Sequence, residues 1–218
     1  DRMRDWVREH GIKAKLEILE IFDYLSDSQP VAGNDVPKSP NRILFVGALS
    51  SNHNDFLYKQ ANSPRSYDIV LYGSGLETEK LEGKVDYKGF VSSDELIATA
   101  EGEYGLAWYG SSLEGGSGAL GEYLQYHAPH KMSLYIRCGL PIIVWEKAGL
   151  APFVKKNNVG ICISSLTELE DILPKISAGQ YMEMKKNVLQ IADKLSNGYY
   201  CFKAIKQACA DLGVEIKG

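Results

Sequence analysis

The sequence predicts an α/β domain of Rossmann-like type, a parallel sheet with helices on both faces, and three observations predict it. Short, continuously apolar runs recur between residues 42 and 163, helical patterns separate them, and several runs end in glycine. Strands buried on both faces lose the in-and-out alternation of a half-solvated sheet, and the helices supply the crossovers that parallel pairing requires. In such sheets a ligand sits beyond the carboxyl ends of the strands, where the loops converge.

The elements follow in order. Residues 1–25 open with a short amphipathic stretch, and the run Ala14-Lys-Leu-Glu-Ile-Leu-Glu-Ile-Phe-Asp-Tyr-Leu25 then alternates in a way that suits a strand as well as a helix. Residues 26–40 are dense in turn formers and lack apolar periodicity, which reads as a linker with a domain boundary near Asn41. A strand over 42–47 ends in Gly47; polar Ser50-Ser-Asn-His-Asn-Asp55 and a helix from Phe56 follow. Further strands are predicted over 67–73, ending in Gly73, over 85–91, and over 104–109, ending in Tyr109. Between the last two, 93–100 starts as a helix capped by Ser92 or Ser93, with acids in its first turn. After a glycine-rich loop come a helix over 131–138 stopped by Gly139, a strand over 141–145, a helix over 151–157 and a strand over 160–163. Helices over 166–176, 181–195 and 199–212 complete the chain.

Composition narrows the function classes. With 218 residues, 44% hydrophobic and 24% charged, the chain has the make-up of a globular domain with one sizeable core. Its net charge of −4 and lack of a basic block argue against nucleic acid as a partner. No apolar run approaches the roughly 20 residues of a membrane span. The first ten residues lack a signal-peptide core, so the expected location is cytoplasmic. The four cysteines form no Cys-x-x-Cys pair and sit in apolar segments, which predicts buried, reduced thiols.

The most informative segment is Tyr126-His-Ala-Pro-His-Lys-Met-Ser-Leu-Tyr-Ile-Arg-Cys-Gly-Leu-Pro-Ile-Ile-Val-Trp145. Pro129 fits the first turn of a helix, and the next free N–H groups, at His130 and beyond, would point from the positive end of the helix dipole. Lys131 adds a charge and Ser133 a hydroxyl donor, so an anion such as a pyrophosphate would find backbone, ammonium and hydroxyl together. An ordinary helix start with a solvated lysine has the same pattern.

Pro-His-Lys-x-Ser-Leu-Tyr followed by Cys138-Gly-Leu-Pro-Ile-Ile-Val-Trp resembles the donor-domain signature of GT-B glycosyltransferases. It is most similar to the bacterial β-1,6-galactofuranosyltransferase group and related glucosyltransferases that elaborate surface glycans and adhesins. Phe45-Val-Gly47, Leu71-Tyr-Gly73 and Tyr87-Lys-Gly-Phe-Val91 extend the likeness, which runs from about Phe22 to the end. It implies the C-terminal half of a GT-B fold, with a UDP-sugar donor held at Gly47, Gly73, Phe90, Val91, Tyr109, His130, Lys131 and Ser133. Phe90 and Val91 would hold the base. It implies a glycan or glycosylated protein acceptor on an N-terminal domain, of which residues 1–40 would be the last elements and the crossing, and it is compatible with self-association. No resident cofactor or metal is implied, and no catalytic residue is assigned.

Two positions depart from related patterns. Where many GT-B enzymes place a ribose-binding glutamate three residues after the lysine, this chain has Leu134, and the loop after the first strand has no basic residue, only Asn52 and His53 as substitutes. The loop Gly110-Ser-Ser-Leu-Glu-Gly-Gly-Ser-Gly-Ala-Leu-Gly-Glu-Tyr123 is neither a P-loop nor a nucleophile elbow; a lid over the donor and a flexible connection fit it equally. Its acids Glu114 and Glu122 read as solvated. His127-x-x-His130 lacks the i,i+4 spacing of helical metal ligands. A UDP-sugar epimerase, a non-catalytic nucleotide-binding module and a flavodoxin-like domain are the rival readings; the last lacks its phosphate loop after the first strand.

Overall fold

A computed structural model describes residues 2–30 and 40–215. One six-stranded sheet forms, in the order β3-β2-β1-β4-β5-β6, and every ladder is parallel. The strands are β1 (Arg42–Ala48), β2 (Asp68–Ser74), β3 (Asp86–Gly89), β4 (Tyr104–Ala107), β5 (Ile142–Trp145) and β6 (Gly160–Ile163). The first three step outward in one direction and the last three in the other, so right-handed crossovers place helices on both faces. On one face Phe56 of α2 (Ser51–Asn62) packs edge-on against Phe45 of β1, with ring centroids 5.6 Å apart. On the other, α3 (Ser93–Thr99), α5 (His130–Arg137) and α8 (Ala178–Ser196) pack in a row. Strand burial is near-complete in β4 and β5, as two covered faces require.

The remaining helices are α1 (Arg2–Glu9), α4 (Gly118–Tyr123), α6 (Ala151–Asn157), α7 (Leu169–Ile172) and α9 (Tyr199–Leu212). Several expectations are corrected. α2 starts at Ser51 rather than Phe56, but Asn54 interrupts it at φ −140°, ψ 53°, because its side-chain amide turns back to donate to the Ala48 carbonyl at 2.8 Å. The expected helix over 166–176 is two 3₁₀ turns, Leu166–Glu168 and Leu173–Lys175, around α7; Pro174 has no N–H to continue an α-helical ladder. The glycine-rich loop contains α4 and is folded: Gly115 and Gly116 lie against the Trp145 indole, and Trp108 Nε1 donates to the Ser112 carbonyl at 2.9 Å. Cys138 is buried as expected and no disulfide forms among the described residues, but Cys201 is exposed, facing out from α9.

Residues 14–25 form neither helix nor strand; with 26–30 they make a strap across the α5, α8 and α9 face. The linker expected over 26–40 is, in its described part, firmly held, while residues 31–39 lie outside the described residues. Arg137, 1% exposed, donates to the carbonyls of Ser26 (2.8 Å), Ser28 (2.7 Å) and Ala192 (3.3 Å). Ser133 Oγ donates to the Phe22 carbonyl at 2.6 Å. Tyr24 N–H donates to the Leu195 carbonyl at 3.0 Å. The Asp23 carboxylate accepts from the amides of Tyr200 (3.1 Å) and Cys201 (2.6 Å), a cap for α9 supplied by a remote residue where the N-cap Gly198 has no side chain to offer.

Strap irregularity is stable because its carbonyls find a buried guanidinium. Arg137→Met keeps the volume but strands those carbonyls, and it should cost about 3 kcal/mol, the value of losing hydrogen bonds to a charged group. Urea unfolding measures this; a midpoint equal to that of the parent would show that the strap contributes nothing.

Candidate functional site

The site is built where the sheet changes direction. β1 and β4 pair only at Ile43 with Tyr104 and Leu44 with Gly105, after which no partners are shared. The Tyr135 hydroxyl of α5 fills the opening: it accepts from the Val46 amide at 3.0 Å and donates to the Leu106 carbonyl at 2.9 Å. Its ring lies on Gly105, where a Cβ would overlap it. This reversal of strand order is where open α/β sheets form their binding crevice.

Two glycines floor that crevice. Gly47 and Gly73 are register partners at the ends of β1 and β2, both at φ 139°, and a Cβ on Gly73 would collide with the Gly47 carbonyl. A side chain at either position would be strained, and the backbone stays open to whatever lies above. A Cβ at Gly47 would sit 3.7 Å from Lys131 Nζ.

Lys131 is the centre of the arrangement. Its Nζ lies 4.1 Å from the Phe45 ring centroid and 4.2 Å from that of Tyr109, with no carboxylate in ion-pair range and no hydrogen bond among the described residues. Two aromatic faces stabilise a cation by roughly 0.5–2 kcal/mol each, less than desolvation takes away. Burial accordingly brings the Lys131 ammonium down to about 7 and pushes the Tyr109 phenol up to about 12. Burial also lowers His127, with the Lys131 charge acting in the same direction against the bond that its Nδ1 donates to the Tyr123 carbonyl.

The helix starts differ in how their free N–H groups are met. Ser51 N–H, in the first turn of α2, already donates to the Glu77 carboxylate at 3.1 Å, and Ser51 and Lys80 hold that carboxyl down at about 2. Ser92 caps α3, Ser177 with Gln180 forms a capping box on α8, and Asp23 caps α9. α5 has neither a side-chain cap nor an acid in its first turn, and Pro129 stands at its N-cap, one residue before the first turn expected of it. An internal carboxylate thus occupies the loop after β1, where Asn52 and His53 were the candidates; His53 is bonded to Ser50 Oγ at 3.0 Å.

The remaining expected residues divide. Gly47, Gly73, Tyr109 and Lys131 come together. His130 opens α5 and is held by stacking on Phe22, centroids 4.4 Å apart. Ser133 points the other way: it is fully buried and its proton is committed to the strap, so in this arrangement it offers no donor to the crevice. Phe90 follows β3 with 78% of its surface exposed, not packed as a strand end, whereas Val91 is partly buried against the core. Leu134, at the position of the missing glutamate, is buried. Sequence reasoning missed Phe45, Tyr135 and Glu77; the first two lie within the quoted motifs, but spacing alone does not say which ring a lysine will meet. Among the described residues no group of three or more His, Cys, Asp or Glu side chains is placed to hold a metal, and no helix is long and apolar enough to cross a membrane.

With this geometry in hand, similarity to known proteins is informative. The family profile described as glucosyltransferase 3-like, C-terminal domain, matches residues 43–208. The β-1,6-galactofuranosyltransferase WbbI of Escherichia coli (strain K12) is 30% identical over 97% of this chain and 62% of its own length. Glucosyltransferase 3 of Streptococcus gordonii is 27% identical over 97% of this chain and 60% of its own. The chain therefore spans about three fifths of the length of these relatives. The structure of Anabaena Alr3699/HepE in complex with UDP-glucose shares the fold, with TM-score 0.51 and 17% identity over 80% of this chain and 49% of that one.

Lys131 keeps part of its surface accessible, but its ammonium is desolvated and unpaired, which destabilises the free protein. Its native value near 7 lies below the unfolded one of about 10.4, so the cost is full below pH 7 and fades as pH rises towards 10.4. Lys131→Met should therefore raise the thermal midpoint of ligand-free protein at pH 6 and lose most of that advantage by pH 10. Scanning calorimetry at the two pH values checks this; a destabilised variant at pH 6 would mean the ammonium has a partner after all.

Proposed function

We propose a function from one premise: the chain belongs to the family of glucosyltransferase 3-like C-terminal domains. Residues 41–218 bind a UDP-sugar as the donor half of a glycosyltransferase that passes a hexose or galactofuranose to a glycan or glycosylated protein acceptor. Residues 1–40 close a preceding acceptor domain and cross to this one, a division supported by the greater length of the relatives. The observation that carries the reading is Lys131, a cation with no internal counter-ion at an uncapped helix start over two open glycines.

The diphosphate of the donor supplies the missing negative charge. Lys131 and the first amides of α5 hold it above Gly47 and Gly73, and the exposed Phe90 ring with the backbone at Val91 receives the uracil. In transfer, the acceptor hydroxyl oxygen bonds to the anomeric carbon, and the bond from that carbon to the diphosphate breaks with its electron pair leaving on UDP. The hydroxyl proton passes to solvent. Charge grows on the diphosphate as this happens, and a positioned ammonium with helix amides stabilises it where water is largely displaced. The HepE structure is a complex with UDP-glucose, and glycosyl transfer is the named activity of both relatives.

Calorimetric titration with UDP, GDP, ADP and pyrophosphate tests the assignment. UDP should bind selectively, and Lys131→Met should weaken it roughly 10- to 100-fold, the equivalent of losing a charge-assisted hydrogen bond of about 1.5–3 kcal/mol. Because the bound anion favours the charged lysine, binding of a UDP-sugar, whose diphosphate diester does not titrate in this range, should take up close to one proton at pH 8 and almost none at pH 6, measured in buffers of different ionisation enthalpy. An unchanged UDP dissociation constant in Lys131→Met would sink the assignment. In the longer protein, UDP release that requires acceptor separates transfer from epimerisation.

A further inference from the structure

Tyr109, one wall of the Lys131 site, also lines a cavity of about 630 Å³ enclosed by α1, residues 16–22 and the loop from Tyr123 to His130. Its size falls in the range of small-molecule sites, roughly 300–1,000 Å³. The walls are rich in flat rings that are already held in place. His127 stacks on Tyr123 at 4.2 Å with an interplanar angle of 9°, and His130 stacks on Phe22 at 4.4 Å and 14°. Tyr123 and Tyr126 keep 51% and 39% of their surface exposed, so ring faces are presented rather than consumed in the core.

The polar inventory of this cavity is selective. The hydroxyls of Tyr109, Tyr123 and Tyr126 and the side-chain amide of Gln125 have no partner among the described residues, and His127 uses only Nδ1, on the Tyr123 carbonyl at 2.9 Å. Three of the charged residues around it are already engaged: Arg2 on the Lys147 carbonyl at 2.6 Å, Arg4 with Asp5 at 3.4 Å, and Glu20 with Lys203. What remains on offer is aromatic surface rimmed by neutral donors and acceptors, with the exposed Glu17 carboxylate as one further acceptor at the edge. A sugar ring has that complement: C–H faces that lie on aromatic rings and an edge of hydroxyls that both donate and accept. An inorganic anion or a lipid chain would use only part of it.

We infer that this cavity is a carbohydrate subsite on the acceptor side of Tyr109, holding a neutral sugar ring next to the diphosphate site. The assignment to the acceptor rests on the transferase reading above; the carbohydrate chemistry of the cavity stands on its own rings and free hydroxyls.

Saturation-transfer NMR and titration of this chain with methyl glycosides of glucose, galactose and N-acetylglucosamine, with and without saturating UDP, test it. At least one glycoside should bind in the millimolar range with UDP present, and Tyr123→Ala and Gln125→Ala should each weaken it about 10-fold while the UDP dissociation constant stays unchanged. Both side chains reach the surface, and circular dichroism confirms that the variants fold. UDP binding with no glycoside binding at tens of millimolar overturns the subsite and leaves the donor reading intact. Glycoside binding that is insensitive to both substitutions also overturns it. Displacement of the glycoside by UDP-glucose or UDP-galactose but not by UDP overturns the acceptor assignment, giving the cavity to the donor sugar. Substitution-sensitive glycoside binding in a chain that ignores UDP supports the subsite while removing the transferase reading.

Discussion

The arrangement at the carboxyl edge of the sheet depends on one hydroxyl. Where β1 and β4 stop pairing, a backbone donor at Val46 and a backbone acceptor at Leu106 face a gap that water would otherwise enter, and Tyr135 answers both at once. Buried backbone groups must be matched, so the tyrosine fixes the separation of the two central strands and the depth of α5 between them. Gly105 makes the fit possible by leaving room for the ring. Lys131, one turn earlier on the same helix, is thereby delivered between Phe45 of β1 and Tyr109 beyond β4.

α5 is only eight residues long and carries polar side chains inward on two sides. Tyr135 grips the sheet, while Ser133 and Arg137 grip the strap. Such a helix gains little from its own ladder and takes its position from these tertiary bonds. Rigidity obtained this way leaves Lys131 itself free of structural duties, and an unpaired cation can be tolerated there because its neighbours His130 and Ser133 fix the helix around it. Stability is given up at the one point where an anion would return it.

Much of this was legible in the chain itself. The six strands followed from apolar runs bounded by glycine, and α6, β6 and α9 have the bounds that the pattern predicts. The helix start around Lys131 was legible because proline and lysine are local features, although the same pattern fits an ordinary helix start with a solvated lysine. What could not be read were choices made across distance. The alternation in residues 14–25 favours strand and helix alike, and it becomes a strap because partners far along the chain, Ser133, Leu195 and the start of α9, take up Phe22, Tyr24 and Asp23. Ser133 looked like a ligand donor by spacing, and its direction is set by the Phe22 carbonyl instead. The break at Asn54 and the carboxylate of Glu77 at the start of α2 are likewise decided by partners outside the segment.

The carboxylate of Asp23 on the first amides of α9 joins residues 177 and 178 positions apart. During synthesis the acid is made long before its helix, so closure of this contact must wait for α9. Until then the strap lacks this anchor, and the loop that must close spans 177 positions, an entropic term that grows slowly with length but must be met before the contact contributes. The strap therefore links α9 to α5: an opening at α9 would loosen Asp23 and, through Phe22 and Ser133, be felt at the helix that carries Lys131.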